Sequence, residues 1–215
     1  MQPEVRNRPL RLSENTPRRC HSAHRRMDVK ISWARTTLDQ SVFPPIMTSQ
    51  ESPFSVSRDI DAPAHELFNY LARPADHCTI DGSGMLRGTD DRRVLSGIGD
   101  VFEMKMFNDV LGEYVMENHV VEFEPDRLIA WEPVLKATDK PGFESRVGDR
   151  AHLRWGWELT PRPEGGTRVT EFYDLSAAPE WLHEATKEGE DWRPVMEASL
   201  ANLAKLVEEA HRRPP

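Results

Sequence analysis

Cysteine is nearly missing from the chain: Cys20 and Cys78 are its only two in 215 residues. So few cysteines support no disulfide framework, and a reducing compartment is the expectation. No apolar run approaches the roughly 20 residues that a membrane-spanning helix needs. The first residues also lack the apolar core, about 7–15 residues long, of a secretory signal. Neither a glycine-rich phosphate loop nor a serine nucleophile elbow occurs, and the body of the chain shows no His/Cys/Asp/Glu cluster at metal-ligand spacing. The expectation is a cytoplasmic protein that needs no cofactor and no metal. An excess of positive over negative charge is confined to one end. Residues 1–46 hold nine Arg/Lys against four acids, whereas the whole chain carries −8, so residues 47–215 carry −13. So acidic a body disfavours nucleic acid and anionic membrane as partners, because phosphate binding needs a basic surface.

The same first stretch lacks any sustained helix or strand period and carries Pro3, Pro9, Pro17, Pro44 and Pro45. Low hydrophobicity with excess charge reads as a disordered basic tail over residues 1–50. Arg18-Arg19-Cys20-His21 and His24-Arg25-Arg26 have the composition of a metal tract or nucleic-acid arm, but a solvated tail needs fewer assumptions. Another reading is that translation starts at Met47, directly before the first strand. The folded domain is expected over residues 51–213.

Most of that domain reads as strands, closed by one long helix. Trp192, Val195, Met196, Leu200, Leu203, Leu206, Val207 and Ala210 recur at three- and four-residue steps from Asp191 to His211. At 100° per residue they form one apolar stripe, opposite Glu197, Lys205, Glu208 and Glu209. Asp191 is the expected cap, Pro194 suits the first turn, and His211, Arg212 and Arg213 suit the negative C-terminal end. Upstream, Phe54 to Ile60 alternates as a strand. Asp61-Ala62-Pro63 reads as a helix start with Asp61 as cap, and Pro74 as its stop. A short turn of helix is expected over Asp76–Ile80, then a weak strand at Met85–Thr89. Further strands follow at Val101–Phe107, Tyr114–Phe123, Arg127–Pro133, around Leu153–Leu159, and around Arg168–Leu175, with a loop at Lys136–Asp149. Runs of strands closed by a helix argue for an α+β domain with an antiparallel sheet. A curved sheet around one helix leaves side-chain size to decide between solid core and cavity.

Several pieces, taken together, resemble a known superfamily. They are Ile60-Asp-Ala-Pro63, Leu67-Phe68 to Pro74, His77 with Asp81-Gly-Ser-Gly84, Gly99-Asp-Val-Phe102, Tyr114, Asn118 and Val121-Glu-Phe-Glu-Pro125. Ile129-Ala-Trp-Glu-Pro133, Trp155-Gly-Trp-Glu-Leu159 and Gly166-Thr-Arg-Val169 to Asp174 complete the set. Over about residues 54–208 the chain resembles the SRPBCC (START/Bet v1-like) superfamily, in its polyketide cyclase/dehydrase-like branch. The resemblance implies a helix-grip fold: about six to seven antiparallel strands curved around a long C-terminal helix, with two short helices after the first strand. It also implies a cavity between sheet and helix for a hydrophobic small molecule. Ile80 departs from the pattern, since the family usually shows Trp near this turn. Fold alone does not imply catalysis.

Within that frame Phe102, Met104, Met106, Tyr114, Trp131, Trp155, Trp157, Met196 and Leu200 are the expected ligand-binding wall; Met and Trp suit irregular, adaptable space. Glu171 and Tyr173 share a face with Val169 and Leu175, the face expected to point inward. A carboxylate there is desolvated and its pKa raised, as a general base requires; the other reading turns Glu171 to solvent or pairs it with a neighbour. Asn118 follows Tyr114 and Met116 at period two and is expected inside, with His119 outside; its amide would bond a ligand carbonyl or staple a bulge. His77 and Asp81 are expected at the pocket mouth as a surface pair or, less simply, an oriented base. His152 and Arg154 read as exposed. The main functional reading is a carrier or sensor of a lipid, aromatic or polyketide-like molecule. A cyclase/dehydratase, with Glu171 as base and Asn118 or Tyr173 polarising a carbonyl, is the alternative. A co-chaperone-like interaction domain is the third, and it would need an exposed apolar patch. Nothing in the sequence speaks to oligomeric state.

Overall fold

The computed structural model describes residues 54–212; the expected tail, its basic tracts and the start at Met47 lie outside them. Seven strands form one antiparallel sheet in the order β1-β7-β6-β5-β4-β3-β2. They are β1 (Phe54–Ile60), β2 (Leu86–Gly88), β3 (Val101–Asn108), β4 (Gly112–Glu124), β5 (Leu128–Thr138), β6 (Arg154–Pro161) and β7 (Thr167–Asp174). Between β1 and β2 stand α1 (Ala64–Leu71) and α2 (His77–Ile80); α3 (Glu180–Thr186) and α4 (Arg193–Arg212) follow β7. This is the helix-grip arrangement, with α4 lying in the curve of the sheet.

The expected alternation places one row of each strand under α4. Phe102, Met104 and Met106 pair across to Asn118, Met116 and Tyr114, and Trp155, Trp157 and Leu159 pair to Tyr173, Glu171 and Val169. Register shifts near Val115/Met116 and Val120/Glu122 bend β4, which is how bulges add curvature. One end of the grip is solid: Leu67, Phe68 and Leu71 of α1 pack with Ile129, Leu159 and Val169 and with Leu200, Leu203 and Val207 of α4.

Three local expectations change. Asp61 caps nothing: the chain enters α1 at Pro63, whose extended ψ of 148° marks the boundary without a side-chain cap bond. Asp191 belongs to a one-turn 3-10 helix, Glu190–Trp192, and ion-pairs with Lys187 at 2.6 Å instead of capping α4. Strand β5 runs on to Thr138, because β4 keeps pairing with it as far as Tyr114↔Thr138, so the expected loop is shorter.

The Asp81-Gly82-Ser83 corner docks on α4 at close range. Gly82 N donates to Ser199 Oγ at 3.0 Å, and Asn202 Nδ2 donates to the carbonyls of Ile80 and Asp81, each at 3.2 Å. A Cβ on Gly82 would meet Val195 O at 2.2 Å, so only glycine allows this approach. Asp81 spends its carboxylate locally, accepting from Ser83 N at 2.9 Å, Ser83 Oγ at 2.6 Å and Leu86 N at 3.1 Å.

Candidate functional site

The other end of the grip is hollow. Strands β5 and β6 pair only from Leu128↔Glu158 to Trp131↔Trp155. Beyond that they separate, and Pro133 has no N–H to continue a ladder. Their separation leaves a cavity of about 340 Å³ between sheet and α4, within the size range of small-molecule pockets. The segment between β5 and β6 reaches into it with Phe143, Arg146, Asp149 and Leu153. Arg146 and Asp149 are largely exposed, which places the opening to solvent there.

Of the expected wall, Phe102, Met104, Met106, Tyr114, Trp131, Trp155 and Trp157 line the hollow, as do Asn118, Glu171 and Tyr173. Met196 and Leu200 do not. Both are buried on α4 but turned away, Met196 toward Tyr173, Leu175 and Leu182 and Leu200 into the solid core. The helix presents Val195 and Ser199 to the hollow instead. A single residue step rotates a helix by 100°, and the docking of Gly82 on Val195 and Ser199 sets that rotation. Ile80 stands on the wall where the resemblance implied Trp.

Glu171 is 2% exposed. Its register neighbours on the flanking strands are Val56 and Trp157, so no cation faces it across the sheet. Oε1 accepts the Trp155 indole N–H at 2.8 Å, while Oε2 has no partner among the described residues. Burial pushes the carboxyl well above the ordinary glutamate value, the Trp155 bond opposes this only in part, and Asp81 adds like charge. Burial with no cation beside it therefore favours the protonated carboxyl over the carboxylate. Tyr173, Trp155 and Trp192 make an aromatic cage beside it, with ring centroids 5.1 Å (Trp155–Tyr173), 5.3 Å (Trp155–Trp192) and 6.0 Å (Tyr173–Trp192) apart. Burial raises the Tyr173 phenol as well, so it favours the neutral form of both groups.

His77 is not a surface partner of Asp81. It is buried, its ring stacks on Trp131 at 5.4 Å and meets Phe102 edge-on at 5.5 Å. Leu71 O lies 2.7 Å from Nε2. A carbonyl only accepts, so Nε2 carries the hydrogen, and burial lowers the imidazole to about 4. Asn118 is inside as expected, and its Nδ2 donates to Phe102 O at 3.4 Å, a staple between β3 and β4. Tyr114 is anchored by Asn108, whose Nδ2 donates to its hydroxyl at 3.2 Å. His119 sits on the outer face beside Glu117 at 3.0 Å. His152 is exposed, whereas Arg154 is only half so, held between Glu122 and Asp174.

Sequence periodicity did not point to Trp192, Val195 and Ser199 as lining residues; the apolar stripe contained the first two but not their direction. Among the described residues, no three His, Cys, Asp or Glu side chains gather as metal ligands would, and no helix is long and apolar enough to cross a membrane. Their exposed large hydrophobics are Val94, Ile98 and Val147.

The family model described as polyketide cyclase / dehydrase and lipid transport matches residues 53–208. An uncharacterized protein of Mycobacterium tuberculosis, Rv0088, is 33% identical over 129 residues, covering 59% of this chain and 50% of that protein. The chain thus spans about half the length of the curated relatives it matches. Among solved structures, protein Ms6760 of Mycobacterium smegmatis superposes with a TM-score of 0.53 at 15% identity, covering 73% of this chain and 91% of its own. A Rhodobacter sphaeroides protein superposes with a TM-score of 0.52 at 16% identity, covering 72% and 91%. At these identities the likeness is one of fold.

Proposed function

Because the chain belongs to the polyketide cyclase / dehydrase and lipid transport family, we propose that it holds a mainly apolar small molecule in the hollow, as a cytoplasmic carrier or sensor. The observation that carries this reading is the cavity of about 340 Å³ walled by Phe102, Met104, Trp131, Trp155 and Trp157. An apolar enclosure gains free energy for each apolar surface it takes from water, on the order of 25 cal/mol per Å². Lipid, aromatic and polyketide-like molecules share the chemistry this wall rewards. The acidic body argues against nucleic acid as a partner.

A second reading is supported by Glu171. A carrier needs no buried ionisable group, whereas an enzyme needs at least one. As the resting acid, Glu171 would give its proton to a departing ligand hydroxyl, water would leave, and the resulting carboxylate would take a proton back from the adjoining carbon. That is a dehydration, with Asn118 or Tyr173 polarising a ligand carbonyl.

The test is native mass spectrometry of protein purified from its own host. A co-purifying small molecule that E171Q retains unchanged supports the carrier; one that wild type converts and E171Q does not supports the enzyme. Protein that arrives empty and takes up no lipid or aromatic probe overturns both.

A further inference from the structure

The gap between β5 and β6 is framed by backbone at both ends. Their ladder stops at Trp131↔Trp155, and the two sides meet again where Gly148 N donates to Leu135 O at 2.8 Å. Within this window Pro133, Asp149, Ala151 and Leu153 line the hollow. Their neighbours Glu132, Arg150 and His152 join the two sides on the outer face. Arg150 Nη1 donates to Glu132 Oε2, and His152 Nδ1 donates to Glu132 Oε1 at 3.2 Å. The other arm of the Arg150 fork, Nη2, reaches His119 Nδ1 on β4 at 3.3 Å.

The His119 ring is engaged at both nitrogens, and the partners fix its hydrogen. A guanidinium only donates, so Nδ1 offers its lone pair. Nε2 lies 3.0 Å from Glu117 Oε1, a carboxylate that its bond to Lys136 holds below the ordinary range, so Nε2 carries the hydrogen. The other charges on this face surround the same contacts. Lys136 also meets Glu103, and Glu132 is the register neighbour of His119 on β5. On β3 the neighbour is Val101, whose carbonyl accepts from Arg93, itself paired with Asp91. A second proton on His119 would turn Nδ1 into a donor aimed at a guanidinium, with like charges at bonding distance, and the Arg150 arm would have to leave. His152 presents its hydrogen to Glu132 in either state. Of the two histidines, His119 is the one whose contact with the loop depends on protonation.

We propose that His119 and Arg150 form a proton-operated latch on the window between β5 and β6, closed when His119 is neutral and released when it is protonated, so that mild acid speeds passage of ligand into and out of the hollow. The proposal rests on the ligand-binding reading above and adds how that site is regulated. Histidine is the side chain suited to such a switch, because its charge changes near neutral pH.

Stopped-flow fluorescence with 2-ethylnaphthalene on the full chain, at pH 7.5 and pH 5.5, tests this. In wild type, association and dissociation should both run about fivefold faster at the lower pH, as loss of one charge-assisted bond allows. Kd should stay the same, because a latch alters the barrier and not the bound state. H119Q stays slow at both values, since the Gln amide oxygen accepts from Arg150 while its NH2 donates to Glu117. R150M, which cannot engage His119, is fast at both. Wild-type rates that ignore pH, or H119Q rates that follow it, overturn the latch and leave the pocket standing. If a variant fails to fold, the nitrogen NMR shifts of the His119 ring in wild type decide the matter: hydrogen on Nε2 at pH 7.5 is expected, and hydrogen on Nδ1 overturns the latch. If the probe binds at neither pH, the pocket reading falls and the latch falls with it.

Discussion

The Trp155 indole donates its N–H to Oε1 of Glu171 at 2.8 Å, diagonally across β6 and β7. It is the only hydrogen bond the Glu171 carboxyl makes among the described residues, and it comes from a neutral group. A buried carboxyl satisfied by a neutral donor keeps its proton, whereas one facing a cation gives it up. The electrical character of the hollow follows from that difference.

Folding stability should therefore depend on Glu171 in a direction opposite to most carboxylates. Its folded pKa lies well above the ordinary value of 4.5, so the native state binds the proton more tightly than the unfolded one. That contribution is fully present below pH 4.5 and is lost as pH rises toward the folded pKa. In E171Q the loss is absent. The gap in Tm between E171Q and wild type should widen in favour of the variant from pH 5 to pH 8; a constant gap would mean that Glu171 is ionised when folded.

His77 works at the other end of the scale. Its pKa falls from 6.5 to about 4 on burial, so the unfolded chain takes up a proton that the native one refuses. Stability is intact above pH 6.5 and falls as pH drops toward 4, by about 3 kcal/mol over the full interval at 1.36 kcal/mol per unit. H77Q should flatten this acid limb in denaturant titrations between pH 7 and pH 4. If wild type and H77Q run parallel, His77 is charged in the folded protein.

Adding one methyl at the α2–α4 corner should be costly. In G82A the new Cβ must displace Val195 O, Ser199 N and the Ala198 methyl, all nearer than 3.0 Å. A loss of about 1–3 kcal/mol in chemical unfolding is expected from overpacking. Affinity for 2-ethylnaphthalene should drop as well, because Val195 and Ser199 wall the hollow.

Filling the hollow should separate fold from ligand. Met116 lines it and is partly exposed to it. M116W should abolish saturable uptake of the same naphthalene while Tm stays level or rises, since the added ring occupies empty space. Unchanged uptake would place the ligand elsewhere.

The opening is spanned by a contact between loop and helix. The Arg146 guanidinium lies over the Trp181 ring at 4.5 Å, an interaction of about 0.5–1 kcal/mol at an exposed site. R146A should release bound naphthalene several-fold faster in stopped-flow fluorescence, with little change in Tm. An equal off-rate would show that exchange does not pass this point.

Much of this was legible from the residues alone. Alternation along Phe102-Met104-Met106 and Trp155-Trp157-Leu159 is a local property of a strand with one buried face, and so the inward rows, Asn118 against His119, and Glu171 against Thr170 could be read directly. The strand-rich middle and the amphipathic end were enough for an α+β domain with an antiparallel sheet, while the helix-grip arrangement was implied by the family resemblance. His77 was misread as a surface partner because its sequence neighbours Asp76 and Asp81 are acidic, while Trp131 and Phe102, which bury it, lie far along the chain.

What the sequence by itself determined is which faces are apolar, because periodicities of two and 3.6 residues are written in the chain. Tertiary docking alone decided how far α4 is rotated, turning Val195 and Ser199 to the cavity and Met196 and Leu200 away from it. It also decided that β5 and β6 part beyond Trp131, which opens the space, and that no cation reaches Glu171, which keeps its proton. Each of these depends on groups distant in sequence meeting in one place, and no local pattern encodes such a meeting.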